Sequence, residues 1–370
     1  MVPLWIARAK LVNRAVLLVF LTGCGIVTST RGPQPVGVGS GAVPVAPTGL
    51  QLGYTWQSGS GNLFPILGVS GAAHYGSGIL PGNTKVVTAA AITSSSSSWA
   101  LVLQGDGTLH EWEFPNSTTT TLADRLAPDS SIVFSPSGTY AAIISASTQS
   151  VVVIGGLPAK PQLTNISMPS DALPGDSAIS DSGTILLGVR SPVGGSINFG
   201  VLSATRSYST IGPMQAWGGA SFLPGTATDA AIIADSGTAQ LTYVANPDGV
   251  SPTVSILPRA SILGRPAGIG VSLDGQRVYV VDADKPQIVR ISVTHSESAA
   301  TAIPCACSPK QMIPLTSDGI FSITSNAPGK PDWILDTRAA QPRTFFVPAI
   351  APAASGQAAA TINQTDRAAQ

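Results

Sequence analysis

From residue 130 onward, short apolar runs alternate with glycine-centred steps in a fixed order. The steps and the runs after them read SPSGTYAAII from Ser135, SDSGTILLGV from Ser180, LPGTATDAAII from Leu223, SLDGQRVYVV from Ser272 and TSDGIFSIT from Thr316. A Ser/Asp-x-Gly step between two apolar runs predicts a tight hairpin, because glycine accepts the positive φ such a turn needs. A third run follows (SVVVIGG, QLTYVA, QIVRISV, DWILDT), and a fourth ends on a proline (SILP, TAIP, TFFVP). The pattern predicts units of four short strands.

The prolines set the period. Leu80-Pro81, Ala127-Pro128, Met168-Pro169, Gly212-Pro213, Leu257-Pro258, Ile303-Pro304 and Val347-Pro348 are separated by 47, 41, 44, 45, 46 and 44 residues. Seven marks imply seven units. A four-stranded sheet cannot bury both faces by itself, so neighbouring units must cover one another; arranged radially they form an all-β, seven-bladed β-propeller of four-stranded antiparallel sheets. The first unit, residues 50–81, is the least regular, which raises the expectation that a strand from elsewhere completes it.

Composition agrees with strands rather than helices. Charged residues are 10% of the chain, 39 Gly and 30 Pro interrupt it, and glutamate occurs only at Glu111, Glu113 and Glu297. A hydrophobic fraction of 44% is ample for a core. Net charge is zero and no basic cluster lies beyond the N-terminus, so no nucleic-acid partner is expected. In its cadence, SLDGQRVYVVDADKPQIVRISV from Ser272 resembles the repeats of bacterial YVTN/WD-like propellers. It lacks the Trp-Asp dipeptide and Gly-His starts of WD40 repeats. The resemblance implies a fold, covering about residues 50–350, and no particular activity.

The N-terminus carries a different signal. Arg8, Lys10 and Arg14 precede Ala15 to Thr22, eight residues without charge. At about 1.5 Å per residue a helix there covers roughly 12 Å, too little for a hydrocarbon core of about 30 Å. A basic segment followed by a short apolar one is the layout of a secretory leader. Leu21-Thr22-Gly23-Cys24 resembles the bacterial lipobox, which implies cleavage before Cys24 and acylation of its thiol, anchoring the chain to a membrane. Gly25, where aspartate favours inner-membrane retention, points to the outer membrane of the cell envelope. The expected organisation is a leader over 1–23, a flexible Gly/Pro-rich tether over 24–48, the propeller over 49–350 and a disordered tail over 351–370.

Candidate chemistry is sparse. HEWEF at 110–114 begins like a zinc-protease motif, but Phe114 stands where a second histidine is needed. Period-2 reading makes it a half-buried strand with His110, Trp112 and Phe114 on one face, Glu111 and Glu113 on the other. His74, His110 and His295 fall in three units with unrelated contexts, so no metal or other cofactor is expected. Asp282 and Asp284 in VDADKP read as turn residues rather than a cation pair. Cys305 and Cys307 admit a disulfide, reduced structural thiols or a redox role. In an extended segment their Cα atoms would be roughly 6.6–7 Å apart, at the limit for a disulfide. A bend after Pro304 and the oxidising envelope favour the disulfide. The expected function is a lipid-anchored, non-catalytic binding or scaffold module for protein partners. The alternative is a propeller enzyme of lactonase or quinoprotein type, for which Asp129, Asp176 and Asp229 recur near unit starts.

Overall fold

The computed structural model describes residues 50–349, apart from 81–84, 95–96, 115–117, 192–195, 227, 258–261, 294–299 and 325–329. The leader, Cys24, the tether, the tail and His295 lie outside the described residues.

Every described element is a strand, and each sheet is a meander of consecutive strands. Blade 1 is β1 (Gln51–Gln57), β2 (Asn62–Val69) and β3 (Ala72–Tyr75). Blade 2 is β4 (Val86–Thr93), β5 (Ser98–Gln104), β6 (Leu109–Phe114) and β7 (Thr118–Ala123). Blade 3 is β8 (Ser131–Phe134), β9 (Tyr140–Ser145), β10 (Ser150–Gly155) and β11 (Gln162–Ser167), and blade 4 is β12 (Ala172–Ile179), β13 (Ile185–Arg190), β14 (Ile197–Ser203) and β15 (Arg206–Met214). Blade 5 is β16 (Trp217–Phe222), β17 (Ala230–Asp235), β18 (Gln240–Ala245) and β19 (Thr253–Ile256), and blade 6 is β20 (Pro266–Val271), β21 (Arg277–Asp282), β22 (Gln287–Ser292) and β23 (Thr301–Pro304). Blade 7 is β24 (Ile313–Pro314), β25 (Ile320–Ser322), β26 (Asp332–Asp336) and β27 (Arg343–Val347). The seven sheets form the expected seven-bladed β-propeller.

Seven apolar clusters hold the ring, one for each pair of neighbouring blades. This explains why the middle strands read as unbroken apolar runs instead of alternating. In β21, Val278 and Val280 pack toward blade 5 while Tyr279 and Val281 pack toward blade 7. Both faces are buried, so both parities must be apolar. Burying each large side chain contributes about 1.5–3 kcal/mol.

Blade 1 departs from the four-strand pattern. No strand from elsewhere joins it among the described residues, and its three strands run against the register of the other blades. The end of β3, Tyr75, bonds the start of β26 at Asp332; the turn before β3, at Ser70, bonds the end of β26 at Asp336. β3 is therefore antiparallel to the third strand of blade 7, and β1, parallel to β3, is antiparallel to the first strand, β24. The three strands of blade 1 thus match the second, third and fourth strands of a full blade, and among the described residues β1 is its innermost strand. Beside it the inner strands of blades 2 and 7 meet at one end. Thr93 and Thr316 form a parallel bridge, with Ser317 N donating to Thr93 O at 3.0 Å.

Closure between blades 7 and 1 combines an apolar cluster (Leu52 and Ile66 against Ile320, Ile334 and Phe345) with two carboxylates. Asp336 accepts from Ser70 and is gripped by Arg338 through Nε and Nη2, each at 3.0 Å. Burial raises the Asp336 pKa, but Arg338 and Ser70 outweigh it and hold it below the usual carboxylate range. Asp332, 1% exposed, accepts a hydrogen bond from the Tyr75 phenol, and burial raises its pKa. Asp332→Asn should therefore increase the melting temperature at pH 7, with the gain shrinking as the pH falls toward 4 and the native carboxyl takes up its proton. A melting temperature lowered equally at both pH values would contradict this.

Candidate functional site

The inner strands of all seven blades surround a central cavity of about 440 Å³. Tyr54, Thr55 and Trp56 border it from β1, Thr88 and Ala90 from β4, Ser131 and Val133 from β8, Ser177 from β12, Ser221 from β16, Ala267 from β20, and Gln311 to Ile313 from the entry to β24. No described residue bordering the cavity carries a formal charge. Its polar character comes from hydroxyls, the Gln311 amide and the inner-strand backbone, whose channel-side edge, apart from the Thr93–Thr316 bridge, has no strand beside it among the described residues.

Glycines bring the inner strands of blades 5, 6 and 7 together. Gly219, at φ +112°, lies so close to blade 6 that a Cβ there would sit 3.2 Å from the Gly268 Cα. A Cβ on Gly268 would in turn meet Met312 N at 2.7 Å. Gly219→Ala is expected to cost about 1–3 kcal/mol, from forced positive φ and from spreading the ring. Urea denaturation measures it; an unchanged midpoint would mean that the ring tolerates the spread.

Around one mouth, carboxylates hold the connections between blades. Asp282, fully buried at the end of β21, accepts from Gly264 N (2.8 Å), Arg265 N (3.1 Å), Asp284 N (3.1 Å) and Gln287 Nε2 (3.1 Å). Asp235, at the same position in blade 5, accepts from Gln215 N (2.9 Å), Ala216 N (3.0 Å) and Gly237 N (2.9 Å). Burial raises both pKa values, but the converging N–H groups outweigh it and lower them. Blade 3 reverses the roles: Asp129 on the incoming connection accepts from Ser145 Oγ (3.1 Å) and from Ser147 N (3.0 Å) and Oγ (2.9 Å). VDADKP is thus a connection clamp, and Asp284 pairs with Arg265 at 2.9 Å in solvent. The clamp role of Asp235 and Asp282 is not legible in the sequence, because the Gln215, Ala216, Gly264 and Arg265 N–H groups that they hold lie 17 to 20 residues upstream in the preceding connection.

Asp129 and Asp229, two of the three aspartates considered for catalysis, lie apart. Asp129 lies on a connection between blades, whereas Asp229 follows the first turn of blade 5, at the opposite end of the ring, and accepts from Ser182 Oγ of blade 4. Asp176 is in the inner strand β12. His74 is exposed on β3, and His110 contacts Thr121 Oγ1 at 3.2 Å on β6. Among the described residues no three His, Cys, Asp or Glu side chains are grouped for a metal ion.

HEWEF is β6, as its alternation predicts, with Trp112 and Phe114 packed toward blade 1. Glu111 is the exception to a solvated opposite face. It is 7% exposed, pairs across the strands with Leu101, and has a carboxylate oxygen without a hydrogen-bond partner. Burial, with Glu113 nearby, raises its pKa to about 7.

Cys305 and Cys307 follow β23, where the chain bends and brings their Cα atoms to 5.1 Å with the sulfurs at bonding distance. The bend supplies the approach that an extended segment lacks. Intact-mass measurement after alkylation should find neither thiol modified before reduction and both afterwards; alkylation of both without reductant would show the thiols to be free.

Comparisons place the chain by shape alone. A solved structure, described as a functionally unknown protein from Desulfotomaculum acetoxidans DSM 771, superposes with a TM-score of 0.52 at 15% identity, covering 81% of this chain and 100% of that one. The likeness is one of fold. No protein-family model and no curated protein matches the chain. Matches to solved structures number 1078 chains, so the architecture by itself singles out no activity.

Proposed function

We propose that the chain is a non-catalytic binding module for protein partners, held at the bacterial cell envelope through a lipid on Cys24. The observation that carries the partner reading is an apolar rim on blade 5. Val254 and Ile256 lie two residues apart on the same side of the outermost strand β19, 46% and 62% exposed, and Val250 in the turn before it is 90% exposed. An outermost strand with apolar side chains and an unpaired edge suits contact with another protein. The uncharged side chains that line the cavity among the described residues support binding over acid–base chemistry there, since a general acid or base needs an ionisable group within reach of the reacting atom. The basic-then-apolar leader and Leu21-Thr22-Gly23-Cys24 support the anchor.

Two measurements test this reading. Labelled palmitate should enter the wild-type chain in cells and not Cys24→Ala; equal labelling would remove the anchor. A photo-crosslinking residue at Ile256 should trap a discrete protein adduct in the envelope, while the same residue at Thr118, on the outermost strand of blade 2, should not. Identical patterns from both positions would remove the partner surface.

A further inference from the structure

We infer that the central cavity takes a neutral saccharide of one or two rings, a ligand class that rests on the reading of the chain as a binding module and concerns the ring's interior instead of its rim. Charge excludes the first alternative. An anion or cation entering this cavity sheds water and meets no counter-charge among the described residues that line it. Phosphorylated metabolites and carboxylic acids are therefore disfavoured.

Backbone geometry excludes the second. Apart from the Thr93–Thr316 bridge, the described inner strands turn edges without a strand partner toward the cavity, so N–H and C=O groups face it from most of its circumference. An acyl chain filling that space would strip water from these groups and leave them unpaired, which disfavours it. The favoured guest is uncharged and carries donors and acceptors around its whole girth. A pyranose ring has this character, and Thr88, Ser131 and Ser221 add hydroxyls from three different blades. Trp56 gives the cavity an aromatic wall on β1, matching the C–H faces that a sugar presents between its hydroxyls. A volume of about 440 Å³ is within the range of small-molecule sites and is modest enough to limit the guest to one or two rings.

The experiment is calorimetric titration of the purified full chain with glucose, N-acetylglucosamine, maltose and diacetylchitobiose, and with glucuronate and glucosamine as ionic counterparts. At least one neutral sugar should bind saturably, with the ionic counterparts weaker by about tenfold or more. Ser131→Ala, which removes one hydroxyl from the wall, should weaken that binding several-fold with an unchanged circular dichroism spectrum. Ala220→Trp, which narrows the cavity, should abolish it. No binding by any neutral sugar at millimolar concentration, equal binding of the ionic counterparts, or indifference to both variants would overturn the inference. Crosslinking from Ile256 is read in parallel: sugar binding lost with crosslinking retained defeats the cavity assignment alone, and the reverse defeats the partner surface alone.

Discussion

Asp282→Ala is expected to destabilise the protein by about 3–5 kcal/mol, the cost of removing a buried acceptor and leaving its donors unpaired. Four donors converge on this carboxylate, and three are backbone N–H groups of the connection into blade 6 and of the following turn. Truncation leaves Gly264, Arg265 and Asp284 with buried or half-buried donors, and the connection loses its fixed path. Chemical denaturation measures the loss, and a change below about 1 kcal/mol would mean that water replaces the carboxylate fully. Asp282→Asn provides the milder control. It keeps an acceptor oxygen but not the charge, so it should lie between wild type and alanine. It should also lose part of the acid sensitivity: a carboxyl with a depressed folded pKa contributes stability present above its unfolded pKa and lost as the pH falls through the folded one.

Glu111→Gln has the opposite sign and the opposite pH dependence. The Glu111 carboxyl, buried beside Leu101 in the interface of blades 2 and 3, has its pKa raised from 4.5 to about 7. The folded state therefore binds an extra proton between those values, and stability falls as the pH rises from about 4.5 through 7. A shift of this size corresponds to roughly 3 kcal/mol, and local relaxation and water entry reduce the expected gain from Glu111→Gln to about 1–2 kcal/mol at pH 8. Near pH 4, where the native side chain is neutral, the two proteins should be equally stable. Melting temperatures across this range check the difference; a gain independent of pH would assign it to packing instead of charge. Asp332 acts in the same direction as Glu111, whereas Asp235, Asp282 and Asp336 act in the other. Wild-type stability should accordingly be greatest in the mildly acidic range.

These residues show how unevenly the site could be read in advance. Ser135, Ser180 and Ser272 head hairpin turns where glycine-centred steps between apolar runs predict them, because a tight turn is a local event: Gly138, Gly183 and Gly275 all have positive φ. Glu111 was assigned correctly to a strand and to a face, yet not to the interior. Alternation tells which residues share a face; it does not tell whether the facing blade covers it. The cavity was the least legible feature. Thr88, Ser131 and Ser221 stand in three separate repeats with no common motif, and only closure of the ring places them around one space.

Read by itself, the amino-acid order determined the class of strands, their grouping in fours, the period near 45 and hence seven blades, since hairpin turns and repeat spacing are encoded within a few residues of one another. It also marked blade 1 as irregular. Only the tertiary structure decided that the described part of blade 1 is three strands running counter to its neighbours, that Asp332 and Asp336 close the ring, and that the described residues around the central cavity are uncharged. Each of these depends on contacts between segments more than 250 residues apart, or among all seven blades at once. Local propensity carries no information about such distant pairings, which are chosen by the packing of complete sheets.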